Sequence, residues 1–175
     1  MNPLVELHAF GQSFWYDNIR RKFLSDGTVQ ALIDEDALRG MPSNPTIFEG
    51  AIAHSDDYDA QIRQLAGDGA NMETIYEALA LADIRAACDL FAPLYRSSAG
   101  GDGYVSLEVS PYLARDTAGT VAEARRLFQA VGRPNVMIKV PATAEGIPAI
   151  RDLIGEGINV NITLMFSMAH YEAVA

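Results

Sequence analysis

The chain contains little cysteine, histidine and basic charge, and each scarcity excludes a class of function. The single cysteine, Cys88, excludes an internal disulfide, predicts a buried small side chain and is typical of a reducing compartment. The three histidines are far apart and lack the spacing of metal ligands, so we predict no metal site. The formal net charge of −10, with no basic stripe, argues against non-specific binding to nucleic acid.

Long apolar runs are also missing. No stretch approaches the ~18 residues that a membrane-spanning helix needs, and residues 1–6 lack the basic and apolar regions of a signal peptide. We therefore expect no membrane association and a cytoplasmic location. The 175 residues, 49% of them hydrophobic, are enough for a substantial core in a single domain.

Lysine is rarer still, since Lys22 and Lys139 are the only two among 13 basic residues. Lys22 ends the cluster of residues 19–22, which is typical of a solvated surface. Lys139 lies in the apolar, β-branched run 136–141, which is typical of a strand. Burial disfavours a charged ammonium, and a neutral amine can attack a carbonyl to form a Schiff base. Taken alone, Lys139 favours the structural alternatives, a side chain that reaches solvent or half of a buried ion pair.

Alternating strand and helix patterns run along the chain. Strands are predicted at residues 13–19, 40–48 (running into a loop), 104–110, 135–140 and 158–166. Helices are predicted at residues 31–38, 56–95, 120–131 and 144–154, and residues 168–175 are typical of the start of another helix. Asn71 is a candidate cap for a long helix with Ile75, Leu79, Ala82, Ala86 and Leu90 on one face. Helices of this length between strands predict parallel βαβ units.

Three successive strands each carry polar side chains on one face. Ser106, Glu108 and Ser110 share a face of the first strand, and Asn159, Asn161 and Thr163 share a face of the third. In the run 136–141 between them, Lys139 is the only polar side chain. A parallel sheet covered by helices is apolar on both faces, so these residues predict either one polar cavity inside a barrel or a solvated sheet face. The apolar Met137, on the same face as Lys139, favours the interior.

In a barrel, the active site lies at the carboxyl ends of the strands. Lys139, Glu108 and Thr163 lie late in their strands, and Asp17 and Asn44 precede the loops that follow theirs. An amine, two carboxylates, an amide and a hydroxyl suit Schiff-base carbonyl chemistry, in which protons move at carbinolamine formation and again at carbon–carbon cleavage.

Four segments resemble the transaldolases. In chain order they read SNPTIF (43–48), SLEVS (106–110), IKVPAT followed by EGI (138–147), and NVNITLMFS (159–167). Each is weak alone, but their order and separations together are specific. Residues 7–17 and the long helical insertion before Glu108 resemble the bacterial branch that is sometimes fused to glucose-6-phosphate isomerase.

The resemblance implies a class I aldolase-type (β/α)8 TIM barrel that needs neither metal nor organic cofactor. It implies that Lys139 forms the Schiff base and that Glu108 is the acid/base group, acting through a water that Thr163 helps to position. Asp17 matches the aspartate that takes and returns the proton of the substrate hydroxyl. Asn44 matches an amide that binds the dihydroxyacetone unit, and Asn161 matches a second such amide. The implied reaction, in the pentose phosphate pathway, converts sedoheptulose 7-phosphate and glyceraldehyde 3-phosphate to erythrose 4-phosphate and fructose 6-phosphate.

The length predicts an incomplete barrel. Five strands are recognisable, whereas a (β/α)8 barrel typically needs ~250 residues. We therefore expect residues 1–175 to form one domain, the amino-terminal part of such a barrel with strands six to eight absent. The family's phosphate-binding serine and arginine come later, so we expect little activity from the chain alone. Open strand edges also predict possible self-association.

The sequence leaves two alternatives to a transaldolase open. One is another Schiff-base aldolase on the same barrel, of the fructose-6-phosphate or deoxyribose-phosphate type. The other is a non-catalytic half-barrel in which Lys139 is protonated and paired with Glu108. Asp17 and Asn44, without the resemblance, are equally typical of turns and helix caps. Ser110 and Ser167 are interpreted as structural or loop residues.

Overall fold

The computed structural model describes residues 2–175, which form five strands, nine α-helices and two short 3-10 turns. The strands are β1 Phe14–Trp15, β2 Leu38–Met41, β3 Tyr104–Glu108, β4 Val136–Pro141 and β5 Val160–Thr163. The helices are α1 Pro3–Leu7, α2 Arg21–Ser25, α3 Thr28–Glu35, α4 Pro45–Ala53, α5 Asp59–Gly67, α6 Met72–Ser97, α7 Thr117–Val131, α8 Gly146–Gly155 and α9 Met168–Val174. The 3-10 turns are His8–Phe10 and Pro111–Leu113.

The strands follow one another in the sheet in chain order, β1-β2-β3-β4-β5, and the pairs β1–β2, β2–β3 and β4–β5 are parallel. Helices separate consecutive strands, as parallel pairing requires. This order confirms the predicted fold class, an α/β arrangement of the (β/α)8 family with about five βα units. No helix within residues 2–175 combines the length and the apolar character needed to cross a membrane.

The chain divides into two compact units, Met1–Val105 and Ser106–Ala175, with the boundary inside β3. In the first unit, the long helix α6 supplies much of the core. Asn71 caps it as predicted, because its Oδ1 accepts a hydrogen bond of 2.9 Å from the Thr74 amide. Gly40 in β2 has no room for a side chain, since a Cβ atom there would overlap the Trp15 ring.

The buried face of α6 differs from the predicted stripe. Leu79 is buried as expected, but Ala86 is exposed, and the helix instead buries Asp83, Ala87 and Cys88. Burial of Cys88 confirms the prediction for the single thiol. The predicted apolar face of α6 was therefore displaced by about one residue from the face that is buried. The prediction also missed Asp83, the charged residue within the buried face.

In the second unit, β4 is flanked by α7 and α8. Val136, Ile138 and Val140 are fully buried. Helix α7 begins with Asp116 as its N-cap and ends at Gly132, whose φ of 62° is the left-handed conformation that glycine adopts easily. The loop after β4 is held by Thr143, whose hydroxyl donates to the Ala114 carbonyl over 2.7 Å and accepts from the Gly146 amide over 2.9 Å.

The prediction for residues 40–48 was wrong in its second half. Strand β2 begins earlier, at Leu38, and Pro45 opens α4 instead of continuing a loop. Asn44 is extended, with φ −133° and ψ 138°, as residues before proline usually are, and Pro45 suits a first helical position because no hydrogen bond is lost there. This turn from strand to helix brings Asn44 to the carboxyl end of β2.

Candidate active site

Lys139 lies in β4 and is buried, with 7% of the residue exposed. Its neighbours Ile138 and Val140 point to the opposite face and are fully buried. The Lys139 Nζ atom lies 3.4 Å from Glu108 Oε2, at the end of β3. Glu108 remains partly exposed. The structure thus places an amine and an accessible carboxylate close enough to exchange a proton directly or through one water.

Asn161 is the next polar side chain on this face. It lies opposite Lys139 in the β4–β5 register, and its Nδ2 donates to the Oγ of Ser106 in β3 over 3.3 Å. Ser106 is fully buried. This contact confirms that the polar side chains of β3, β4 and β5 share one face, as strand parity predicts.

Thr163 lies two residues beyond Asn161 and therefore on the same face of β5. It is half-buried and pairs with Pro141, and its carbonyl accepts a hydrogen bond of 2.9 Å from the Ala142 amide. The Ala142 carbonyl in turn contacts the Nε2 atom of His170 in α9. These contacts join the carboxyl ends of β4 and β5 to the first turn of the following helix.

In the first unit, Asp17 and Asn44 are in direct contact. The Asn44 Nδ2 atom lies 2.7 Å from one Asp17 carboxylate oxygen and 2.8 Å from the other. Asp17 is exposed and lies two residues after β1, whereas Asn44 is half-buried at the start of α4. The Asn44 side chain makes no capping hydrogen bond to that helix, and its amide donates to the Asp17 carboxylate. The structure therefore pairs two of the predicted residues within this unit.

Two features of the site regions escaped the sequence interpretation. Ser106 was recognised as lying on the polar face but was not assigned to the site, although it contacts Asn161. The signal was available, because Ser106 is two residues before Glu108 on one strand.

The second missed feature is a buried network around Arg21, which was interpreted as solvated surface. Its Nε atom donates to Asp83 Oδ1 over 2.8 Å, and the Tyr58 hydroxyl donates to Asp83 Oδ2 over 2.9 Å. Burial raises the pKa of the Asp83 carboxyl, although the hydrogen bond from Arg21 opposes this. Burial, followed by the charge of Asp83, raises the pKa of Tyr58 to about 12. A charged residue within the apolar stripe of α6 was the signal for this network.

Comparisons with known proteins identify a family model and several curated relatives that this chain resembles. Residues 14–175 match the family model described as transaldolase/fructose-6-phosphate aldolase. A transaldolase from Thiobacillus denitrificans is 51% identical over 174 residues, which are 99% of this chain and 48% of that protein. Transaldolases from Trichodesmium erythraeum and Thermobifida fusca are 47% and 49% identical over 97% and 99% of this chain, and 45% and 47% of their own lengths.

The chain thus spans about half the length of the curated relatives that it matches. The family match covers all five strands and all the predicted site residues, from Asp17 to Thr163. The resemblance inferred from the four segments is therefore confirmed at the level of the family. The chain belongs to the transaldolase/fructose-6-phosphate aldolase family.

Proposed function

We propose that the protein acts in a transaldolase reaction, transferring a dihydroxyacetone unit between sugar phosphates through a Schiff base on Lys139. The observation that carries the proposal is the buried Lys139 amine, 3.4 Å from the partly exposed Glu108 carboxylate on the polar face of β3–β5. A neutral lysine amine is a nucleophile toward carbonyl carbons, and the Glu108 carboxylate supplies a proton acceptor beside it.

The first step forms the covalent link. The Lys139 nitrogen bonds to the ketone carbon of the donor sugar and loses a proton, the carbonyl oxygen gains one, and a carbinolamine results. Protonation of the carbinolamine hydroxyl and its loss as water give the protonated imine. We assign Glu108 to both proton transfers, through a water positioned by Thr163, because it is the carboxylate that the structure places next to the amine.

The second step breaks and remakes a carbon–carbon bond. Asp17 takes the proton of the hydroxyl next to the scissile bond, the aldose leaves, and the electron pair stays on the imine as an enamine. The enamine then attacks the aldehyde of the acceptor, and Asp17 returns the proton to the new hydroxyl. Water adds to the resulting protonated imine, and reversal of the first step releases the product ketose and the Lys139 amine. Asn44 and Asn161 are assigned to the hydroxyls of the dihydroxyacetone unit. The Asp17 contact fixes the direction of the Asn44 amide, which supports this assignment.

The proposed substrates are sedoheptulose 7-phosphate with glyceraldehyde 3-phosphate, in the pentose phosphate pathway of the cytoplasm, with no metal or organic cofactor. We also propose that residues 1–175 act as one domain that supplies five of eight βα units. This part rests on the match to about half of each relative. We expect little activity from these residues alone, and self-association through the strand edges.

Borohydride trapping tests the proposal. Incubation with fructose 6-phosphate and borohydride is expected to leave a reduced dihydroxyacetone adduct on Lys139, detected by intact and peptide-level mass spectrometry. Lys139→Met should abolish the adduct. Lys22, the chain's only other lysine and an exposed one, is the internal control, because its peptide should contain no adduct in the same sample. A lack of adduct both in this chain and in a version extended to the length of the relatives would refute the Schiff base.

A second candidate is supported by the family description, which also includes fructose-6-phosphate aldolase. Such an enzyme would use the same Schiff base on Lys139 but release free dihydroxyacetone. Product analysis of the extended form, with and without an aldose phosphate acceptor, separates the two. Cleavage of fructose 6-phosphate at the same rate without an acceptor would favour the aldolase.

A further inference from the structure

The first unit contains a cavity of about 390 Å³ that neither Asp17 nor Asn44 lines. Its wall comes from the segment after β1, from α2, from α4 and from the segment between α4 and α5. The volume lies within the range of small-molecule pockets in proteins. The catalytic proposal above makes no use of this cavity.

Positive charge is concentrated around the cavity. Arg20, Lys22 and His54 lie on its wall, and Asp57 is the one carboxylate among the lining residues. The wall therefore has a positive formal charge even when His54 is neutral. This is unusual in a chain with 23 acidic and 13 basic residues. Such a wall favours an anionic ligand.

The nitrogen atoms of these side chains are available to a ligand. Arg20 uses its Nε to donate to Asn18 over 3.1 Å, and its guanidinium carbon lies 5.6 Å from the centre of the Phe23 ring. His54 uses its Nδ1 in a contact of 2.8 Å with the Gly50 carbonyl. Within residues 2–175, the Arg20 Nη atoms, the Lys22 Nζ and the His54 Nε2 have no hydrogen-bond acceptor. Contacts with neighbouring groups thus orient Arg20 and His54, and the backbone positions Lys22. All three side chains keep N–H groups that can donate to a ligand.

The backbone that carries two of these residues is held in place. Arg21, between Arg20 and Lys22, is tied to Asp83 and lies over the Tyr58 ring, with 4.3 Å from its guanidinium carbon to the ring centre. The Arg21 amide also donates to the Tyr58 hydroxyl over 3.2 Å. A ligand would therefore meet a preorganised segment, which lowers the entropy cost of binding.

The remainder of the wall suits a molecule with hydroxyl groups and a carbon skeleton. Asn18, Thr46 and Ser55 offer an amide and two hydroxyls, and Phe23 and Ile47 offer apolar surface. Guanidinium and ammonium groups are the usual partners of phosphate oxygens. We propose that this cavity binds a small phosphate monoester, with its phosphoryl group among Arg20, Lys22 and His54.

The proposed ligand would contact residues that adjoin Asp17 and Asn44 in the sequence. Asn18 directly follows Asp17, and Thr46 is two residues after Asn44. A ligand that holds both segments restricts the motion of the Asp17–Asn44 contact. The cavity is therefore suited to a regulatory ligand that acts on this pair without contacting it.

Calorimetric titration tests the proposal with inorganic phosphate, fructose 6-phosphate and free fructose at constant ionic strength. All titrations use the Lys139→Met background, in which no Schiff base can form, so the result is independent of the proposed reaction. Saturable binding of phosphate and of fructose 6-phosphate, but not of fructose, is expected. Arg20→Gln and Lys22→Gln should each weaken it about tenfold, because each removes a charge-assisted hydrogen bond.

Arg151→Gln is the matched control, since Arg151 is exposed and belongs to the second unit, and it should leave binding unchanged. Absence of saturable binding by both phosphate and fructose 6-phosphate would overturn the proposal. Equal affinity in the Arg20→Gln/Lys22→Gln double variant would do so too, because the anion would then bind elsewhere. Both substituted residues are exposed, so loss of folding is not expected to confuse the result.

Discussion

The two units each contain a partly buried ion pair, and the pairs are built in opposite ways. In the first unit the anion is buried, since the Asp83 side chain is 3% exposed and that of Arg21 is 23% exposed. In the second unit the cation is buried, since the Lys139 side chain is 8% exposed and that of Glu108 is 29% exposed. The atoms are 2.8 Å apart in the first pair and 3.4 Å apart in the second.

The difference in which partner is buried indicates which ion pair is suited to catalysis. An arginine keeps its charge at any ordinary pH, so a buried carboxylate beside it has a permanent partner. A lysine, unlike an arginine, is a primary amine that can give up a proton during a reaction, and its neutral form is a nucleophile. The Arg21–Asp83 pair is therefore suited to holding structure, whereas the Lys139–Glu108 pair is suited to a reaction.

Replacing Lys139 by methionine is expected to have the largest effect on activity. In a form extended to the length of the relatives, we expect a loss of about a thousandfold or more, because the nucleophile is removed. Stability should change by less than about 1.5 kcal/mol, since an apolar side chain of similar length replaces a buried charge. Steady-state kinetics and urea unfolding measure the two effects. Large destabilisation with residual activity would reverse the roles assigned to the two pairs.

Replacing Asp83 by alanine is expected to have the largest effect on stability. Removal of one partner of a buried pair costs about 3–5 kcal/mol, because the remaining charge and the Tyr58 hydroxyl lose their acceptor. Urea unfolding checks this value. Asp89→Ala, an exposed position on the same helix, should cost less than about 1 kcal/mol. Equal costs at both positions would mean that the Arg21–Asp83 pair does not stabilise the fold.

The raised pKa of the Tyr58 hydroxyl predicts that the free energy of unfolding falls at alkaline pH. Its pKa of about 12 lies above the ordinary value of 10, so the folded state holds this proton more tightly than the unfolded state. The resulting stabilisation is fully present below pH 10 and is lost as the pH rises to about 12. It amounts to about 3 kcal/mol, at about 1.4 kcal/mol per pKa unit.

Tyr58→Phe should remove most of this alkaline loss, while costing about 1–2 kcal/mol at neutral pH through the lost hydrogen bond. Unfolding free energies measured between pH 8 and about 12 test it, since the stabilisation falls between the ordinary pKa of 10 and the folded-state pKa of about 12. Tyr104→Phe is the comparison, because burial also raises the pKa of Tyr104. An identical pH profile for Tyr58→Phe and the unmodified chain would contradict the assignment.

The smallest effect is expected at the exposed pair Asp59–Arg63 on α5. These side chains lie one helical turn apart at 3.3 Å, with 48% and 73% of their surfaces exposed. Such pairs contribute about 0.3–0.5 kcal/mol, since water and salt screen them. Arg63→Ala should therefore barely shift the urea midpoint. A cost approaching that of Asp83→Ala would remove burial as the explanation for the difference between ion pairs.

The order of strands and helices was predictable, whereas several boundaries were not. Strand patterns predicted five strands, and all five exist. Only two residues of the predicted strand 13–19 pair as β1, because pairing depends on the neighbouring strand as well as on side-chain propensity. The short helices α1 and α2 were not predicted, since short helices are stabilised mainly by packing.

The candidate site was predictable as a set of residues, and the contacts among them were predictable only in part. Strand parity placed Lys139, Glu108 and Asn161 on a common face, and the contacts within the second unit agree. Parity could not reveal that the Asp17 carboxylate is bound by the Asn44 amide, because these residues lie in loops and at a helix start. Their roles stay predictions that the trapping and kinetic experiments test.

The sequence by itself determined the repeated β–α order and the polar face of β3–β5, because both follow from periodicities of a few residues. Tertiary structure alone decided the long-range partners. Arg21 binds an aspartate 62 residues away, and Asn161 binds a serine 55 residues away. Local patterns contain no information about such pairs, since the same arginine is stable on a solvated surface or beside a buried carboxylate. Only the packing of α2 on α6 places the partly exposed Arg21 beside the buried Asp83 carboxylate.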